Sequence, residues 1–126
     1  FADQWRDDIA TTVDGEVAIG WGKAWIEIIS FVTHADDTLY QRFASEFGEP
    51  TYAIMRSAVL RDMGVNSERR DLDDEVDTIV ALSLVVKTGL IISALLGQDR
   101  GRTAAVDIVS DVLRERLESM RERLVD

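Results

Sequence analysis

The run "DLDDEVD", Asp71 to Asp77, is where this chain comes nearest to a catalytic pattern, with five acids in seven residues. Asp73, Asp74 and Asp77 have the spacing Asp-Asp-x-x-Asp. Carboxylates one helical turn apart can hold Mg²⁺ against a diphosphate, because this hard cation takes oxygen ligands and shares them with substrate phosphates. Three specified positions mean little in a chain with 24 acids, and no second acidic motif follows. The same acids have a structural use. In the first turn of a helix they cap orphan N–H groups and complement the dipole, at about 0.3–1 kcal/mol each. There are no cysteines, so a thiolate metal site is excluded. The single histidine, His34, has no metal-ligating partner at useful spacing, and the helical Glu-x-x-His pair of di-iron bundles is missing. No Ser-His-Asp set stands out. The chemistry-bearing residues therefore point away from an enzyme, a metal site or a cofactor.

The elements that would carry these residues are helical throughout. Phe1, Trp5, Ile9 and Val13 recur every four residues, and Asp14-Gly15 reads as a turn. From Glu16 to Ala35, Trp21, Trp25, Ile28 and Val32 share a face, with Gly20 and Gly22 weakening the helix by about 1 kcal/mol each relative to Ala. Asp36 is placed to cap a third helix carrying Leu39, Phe43 and Phe47, which Gly48 should end. Pro50 suits the first turn of a fourth helix, whose inner face is Tyr52, Met55, Val59 and Met63 and whose stop is Gly64. The polar loop "VNSERRD" follows. Two long helices close the chain, from about Leu72 to Leu96 and from about Thr103 to Leu124. In the last, Val106, Val109, Leu113, Leu117, Met120 and Leu124 form one stripe, widened by Ala105, Ile108 and Val112. The expectation is a single all-α domain over residues 1–126, a multi-helix bundle.

Ile79 to Leu96 is almost wholly apolar, with Lys87 as its one charge. Its 18 residues reach the lower limit for a membrane span. A lysine at the centre costs about 3 kcal/mol there, and Ser83, Thr88 and Ser93 dilute the run further. The expectation is no membrane and a cytoplasmic protein. A helix apolar on every side must be covered on every side, and one small domain covers only part of it. A second copy would cover the rest, the last two helices pairing with their symmetry mates in a four-helix bundle. Leu82, Val86, Gly89, Leu90, Val109, Leu113 and Leu117 are the expected seam of this homodimer, with Gly89 at the closest approach. Lys87 is left three uses: pairing with an acid of the other subunit, reaching solvent, or meeting an acidic ligand.

Three stretches resemble the C-terminal effector-binding and dimerisation domain of tetracycline-repressor (TetR) family regulators. "WIEIISFVTHADDTLYQRFASEFGEP", residues 25 to 50, is similar to the family's long helix and its corner, here His34-Ala35-Asp36 without the family's proline. "DLDDEVDTIVALSLVVKTGLIISALLG" is similar to its penultimate helix, with an acidic start, Gly89-Leu90 in the middle and a closing Gly97. "RTAAVDIVSDVLRERL" is similar to its last helix. The resemblance implies a dimeric transcriptional regulator, usually a repressor, whose last two helices form the dimeric four-helix bundle. It also implies a pocket in the middle helices for a small, mostly apolar effector that releases operator DNA. The family's helix-turn-helix DNA-binding domain would precede Phe1. Two other readings stay open: a stand-alone helical interaction or adaptor domain, and a small helical Mg-dependent enzyme acting on prenyl diphosphates, as isoprenoid synthases do.

The rings and methionines in mid-chain, Trp21, Trp25, Phe31, Phe43, Phe47, Tyr52 and Met55, are the candidates for lining that pocket. Helical spacing alone would make them core. Yet so many large rings are hard to pack solidly, and ring-lined hollows with a few polar tips suit small hydrophobic or aromatic ligands. The formal net charge of -10 repels phosphate. The purified chain is therefore expected to leave duplex DNA unshifted in a gel at moderate salt; a salt-sensitive shift would contradict this reading.

Overall fold

The computed structural model describes residues 1–13, 16–34, 36–66, 68–98 and 100–125, with side chains for all of these but 11–13, 16–19, 21 and 125. The fold is an all-α, multi-helix bundle, and the described residues contain no strand. Its helices are α1 (Ala2–Val13), α2 (Glu16–His34), α3 (Asp37–Phe43), α4 (Glu49–Asp62), α5 (Asp73–Leu95) and α6 (Arg102–Val125). The expected turn at Asp14-Gly15 lies outside the described residues. Asp36 caps α3 as its residue type suggests, its Oδ1 accepting from the Leu39 amide at 2.9 Å.

The expected break at Gly48 does not occur. Gly48 is right-handed helical, and a π-helical turn, Ala44–Gly48, joins α3 to α4 without interruption. The cause is Pro50. Inside a regular helix its ring would clash with the carbonyl four residues back and leave it without a donor. One wider turn, in which the Glu49 amide donates to the Ala44 carbonyl, carries the chain past it. Gly64 does stop α4. With φ +69°, it lets the Val65 amide reach back to the Leu60 carbonyl at 2.9 Å while its own amide donates to Arg61, the left-handed closure that favours glycine.

Helix α5 is the hub, touching α1, α2, α4 and α6. The core lies between α1, α4, α5 and α6: Trp5 and Ile9, Val59 and Leu60, Val76, Ile79 and Val80, Val106, Leu113, Leu117 and Met120. The stripe of α6 is the one its spacing predicts. Leu113 and Leu117 are therefore sealed within one chain, at 0% and 2% exposure, and not on a face that a second chain could reach. This corrects their expected place in a dimer seam. The periodicity of α6 is right, but α1 and α5 take up its stripe.

The acids that open α5 are also placed. Buried Arg56 of α4 donates through Nη2 to Asp73 at 2.6 Å and to the Arg69 carbonyl at 2.7 Å. Glu75 receives both Nη groups of Arg123 from the end of α6. Asp71 is gripped by Arg69, whose guanidinium holds that carboxyl below its usual range. The N-cap residue of α5 is Leu72, and no side chain caps it. These acids therefore tie elements together as well as complementing the helix dipole. On α6, Arg114 pairs both with Asp111 of its own helix and with Asp3 of α1, and Arg121 reaches Asp62.

Gly22 marks a close approach of α2 to α5. A Cβ there would stand 2.8 Å from Leu95 Cδ1 and 2.9 Å from Ile91 Cγ2 of α5. Gly89, expected in that role, has open space around it within the chain. Gly22→Val should cost about 1–3 kcal/mol by overpacking. Gly20→Ala, at an exposed position with nothing within 4 Å, should stabilise by up to about 1 kcal/mol. Thermal unfolding of the two variants checks both signs.

Candidate functional site

A half-open cleft of about 600 Å³ lies between α1, α4 and α5, within the range of small-molecule sites. Its back wall begins with Trp5. The heptad-like stripe of α1 turns this ring inward, where it is 4% exposed. Its indole Nε1 donates to the Ser83 carbonyl on α5 at 3.0 Å. Ser83 is fully buried and donates its own hydroxyl to the Val80 carbonyl at 2.8 Å. Met55 and Ala58 of α4 and Leu84 of α5 add apolar surface, with Phe1 at one end.

Polar groups sit around this apolar floor. Gln4 and Asp8, one turn apart on α1, bond to each other at 3.0 Å. Thr51 turns its hydroxyl back to the Phe47 carbonyl. Asp62 is engaged by Arg121 at 2.8 Å and by the Phe1 amino group at 3.1 Å. Lys87 and Arg61 also line the cleft. Neither makes an ion pair or a side-chain hydrogen bond among the described residues. No buried side-chain nitrogen or oxygen among the described residues lacks a partner, so the unpartnered ammonium of the half-buried Lys87 keeps some exposure to solvent.

Among the described side chains, Met55 alone of the expected pocket residues lines this cleft. Trp25 meets Phe47 edge-on with ring centroids 5.0 Å apart, and Phe43 stacks on Phe47 at 5.3 Å. This packs three of the rings against one another at the junction of α2 with the π turn. Phe31 and Phe43 border a smaller hollow of about 270 Å³ beside Arg42 and Glu46, and Phe31 is 68% exposed. Tyr52 is half-buried against the core. The Trp21 side chain lies outside the described residues. Sequence reasoning passed over Trp5, Arg61 and Ser83, and left Lys87 undecided. The available signal was Lys87 itself, one turn after Ser83 on an otherwise apolar helix.

The Asp-Asp-x-x-Asp acids lie away from the cleft, with Asp73 taken up by Arg56. Among the described residues no three His, Asp or Glu side chains converge to hold a metal. His34 sits at the exposed C-terminal end of α2, its Nδ1 2.7 Å from the Ser30 carbonyl.

The outer face of α5 differs in kind. Val85, Gly89, Ile92 and Leu96 are exposed, Val85 and Leu96 at 69% each. On α6, Ile108 and Val112 are likewise exposed. Of the expected seam, Gly89 lies on this face, while Leu82, Val86, Leu90 and Val109 are half-buried along its edge against the core. By length and composition α5 could cross a membrane, although Val76, Ile79, Val80 and Ser83 are buried inside the fold. At about 100° per residue, Ser83, Leu84 and Lys87 face nearly opposite to Val85, Ile92 and Leu96. One helix thus separates a cleft from an uncovered apolar face. Comparison with protein-family models, curated proteins and solved structures gives no match.

Trp5→Phe keeps an aromatic ring, smaller than the indole, and removes the hydrogen bond to Ser83; the lost bond alone should cost about 0.5–1.5 kcal/mol in urea unfolding. Trp5→Ala should cost about 3–5 kcal/mol by leaving a cavity. A Trp5→Phe variant as stable as the unmutated chain would show that the indole N–H contributes nothing.

Proposed function

We propose that the chain is the effector-binding and dimerisation domain of a TetR-like transcriptional regulator, working in the cytoplasm and acting as a repressor. The observation that supports it best is the double role of α5, which walls a ligand-sized cleft on one side and presents bare aliphatic side chains on the other. A soluble chain rarely leaves such a surface open. The occupant we assign is a second copy. The face spans two helices joined by a short turn, so a two-fold axis across it pairs like with like and closes four helices together. The seam differs from the one read in the sequence: Val85, Gly89, Ile92 and Leu96 of α5 with Ile108 and Val112 of α6.

In this reading a small, largely apolar effector enters between α1 and α4. Helix α1 would be joined to the N-terminal DNA-binding domain of the parent regulator, and it forms one wall of the cleft through Gln4, Trp5 and Asp8. A ligand that binds better when α1 is displaced from α5 shifts the population toward that arrangement, and only by its difference in affinity for the two. Such a displacement would re-space the DNA-binding domains of the dimer and release the operator.

Sedimentation equilibrium at micromolar concentration should give twice the chain mass of 14.1 kDa. Ile92→Glu and Ile108→Glu should each give a folded monomer, because they bury unpaired charge only in the dimer. A stable, helical 14.1 kDa species of the unmutated chain would overturn the dimer and favour a stand-alone interaction domain.

A further inference from the structure

We infer that the cleft between α1, α4 and α5 takes an apolar organic anion, with the Lys87 ammonium as its counter-ion; this deepens the effector-domain reading and rests on it. Charge around the cleft is uneven. Asp62 is already matched by Arg121, and Asp8 is exposed and accepts from Gln4. Lys87 and Arg61 have no partner of either kind among the described residues. Folding thus leaves two cations facing a hollow in which one carboxylate, Asp8, is held by a neutral partner.

The position of Lys87 matters more than the count. It is the one charge between Ile79 and Leu96, and it stands half-buried one turn beyond Ser83, whose carbonyl holds the Trp5 indole. A charge beside an apolar wall is poorly solvated and gains more from an opposite charge than one in open water does. The wall itself, from Trp5, Met55 and Leu84, offers a bound molecule only apolar contact. The ligand class that satisfies both is an acid with a hydrophobic body: its head group against Lys87, within reach of Arg61 at the more exposed rim, and its body along the Trp5 ring. The chain's charge of -10 opposes the approach of an anion from a distance, but salt screens that repulsion beyond roughly 8–10 Å.

The test compares decanoate with decanol, binding of each to the purified chain being followed by calorimetry and by Trp fluorescence. Decanoate should bind at least about tenfold more tightly than decanol. Lys87→Met keeps the length of the side chain and removes its charge; it should abolish that preference while leaving decanol binding unchanged. Lys87→Arg should retain the preference, and Arg61→Gln should reduce it by a smaller factor. Thermal melts establish that each variant is folded. If decanoate and decanol bind equally to the unmutated chain, or if Lys87→Met keeps the preference, the anion site is wrong while the apolar pocket stands. If neither probe binds, the anion site falls together with the effector pocket on which it rests.

Discussion

The Trp5 indole on the Ser83 carbonyl fixes the relation on which the rest of this small bundle depends. Helix α1 makes few polar ties to α5, and among its described side chains only Ala2, Trp5 and Ile9 are buried. One buried hydrogen bond between residues 78 apart in sequence sets where α1 crosses α5. Once that is set, Ile9 enters the core, the stripe of α6 has a surface to close against, and Arg114 can reach Asp3 at 2.6 Å. The last of these is exposed and weak. Arg114 holds the Asp3 carboxyl below its ordinary value of 3.8, so what the pair contributes is present above that value and fades as pH falls through the depressed one. The buried bond is what gives the cleft a rigid back wall, since it holds the ring edge and leaves part of the surrounding space unfilled.

A second constraint comes from Pro50. It forces an extra residue into a helix that otherwise runs from Asp37 to Asp62, and the widened turn carries Phe47 to Trp25. The proline thereby helps gather the ring cluster at the α2 junction and away from the cleft. The cleft walls are left to smaller or polar side chains of α4, such as Thr51 and Ala58. A hollow survives there because the large rings are spent elsewhere.

Much of the fold was legible in the sequence, because six helices with strong 3.6-residue periodicity leave little choice of class. The α6 stripe, the Asp36 cap and the stops at Gly64 and Gly97 all follow from local chemistry. What was not legible depends on partners far along the chain. Periodicity marks Leu113 as apolar and inward, but not whether "inward" means its own chain or another. The acids before α5 look alike in sequence, yet Arg56 and Arg123 give Asp73 and Glu75 separate structural roles. The aromatic cluster was read as pocket because size and spacing describe a ring's capacity to pack, not which helix will meet it. Gly22 and Gly89 show the same limit: both are glycines within helices, and only the approach of Leu95 and Ile91 separates them.

The composition of α5 follows from having two different neighbours to satisfy. Its first half is enclosed by α1, α4 and α6, which explains Val76, Ile79 and Val80. Beyond Ser83 the enclosure opens. On one side α2 comes close enough to need Gly22; on another the cleft begins; on the outer side none of the described residues covers Val85, Ile92 or Leu96. A helix serving only as core would need no lysine at 87, and a helix facing only water would need no aliphatic outer face. Lys87 and the outer aliphatic row therefore make sense together if, as proposed, the helix meets a polar-headed ligand on one side and an apolar partner on the other. Because the two faces belong to one rigid rod, a displacement at the cleft moves the outer face with it. That mechanical link, and not any single contact, is what would let occupancy of the cleft be felt across the bundle.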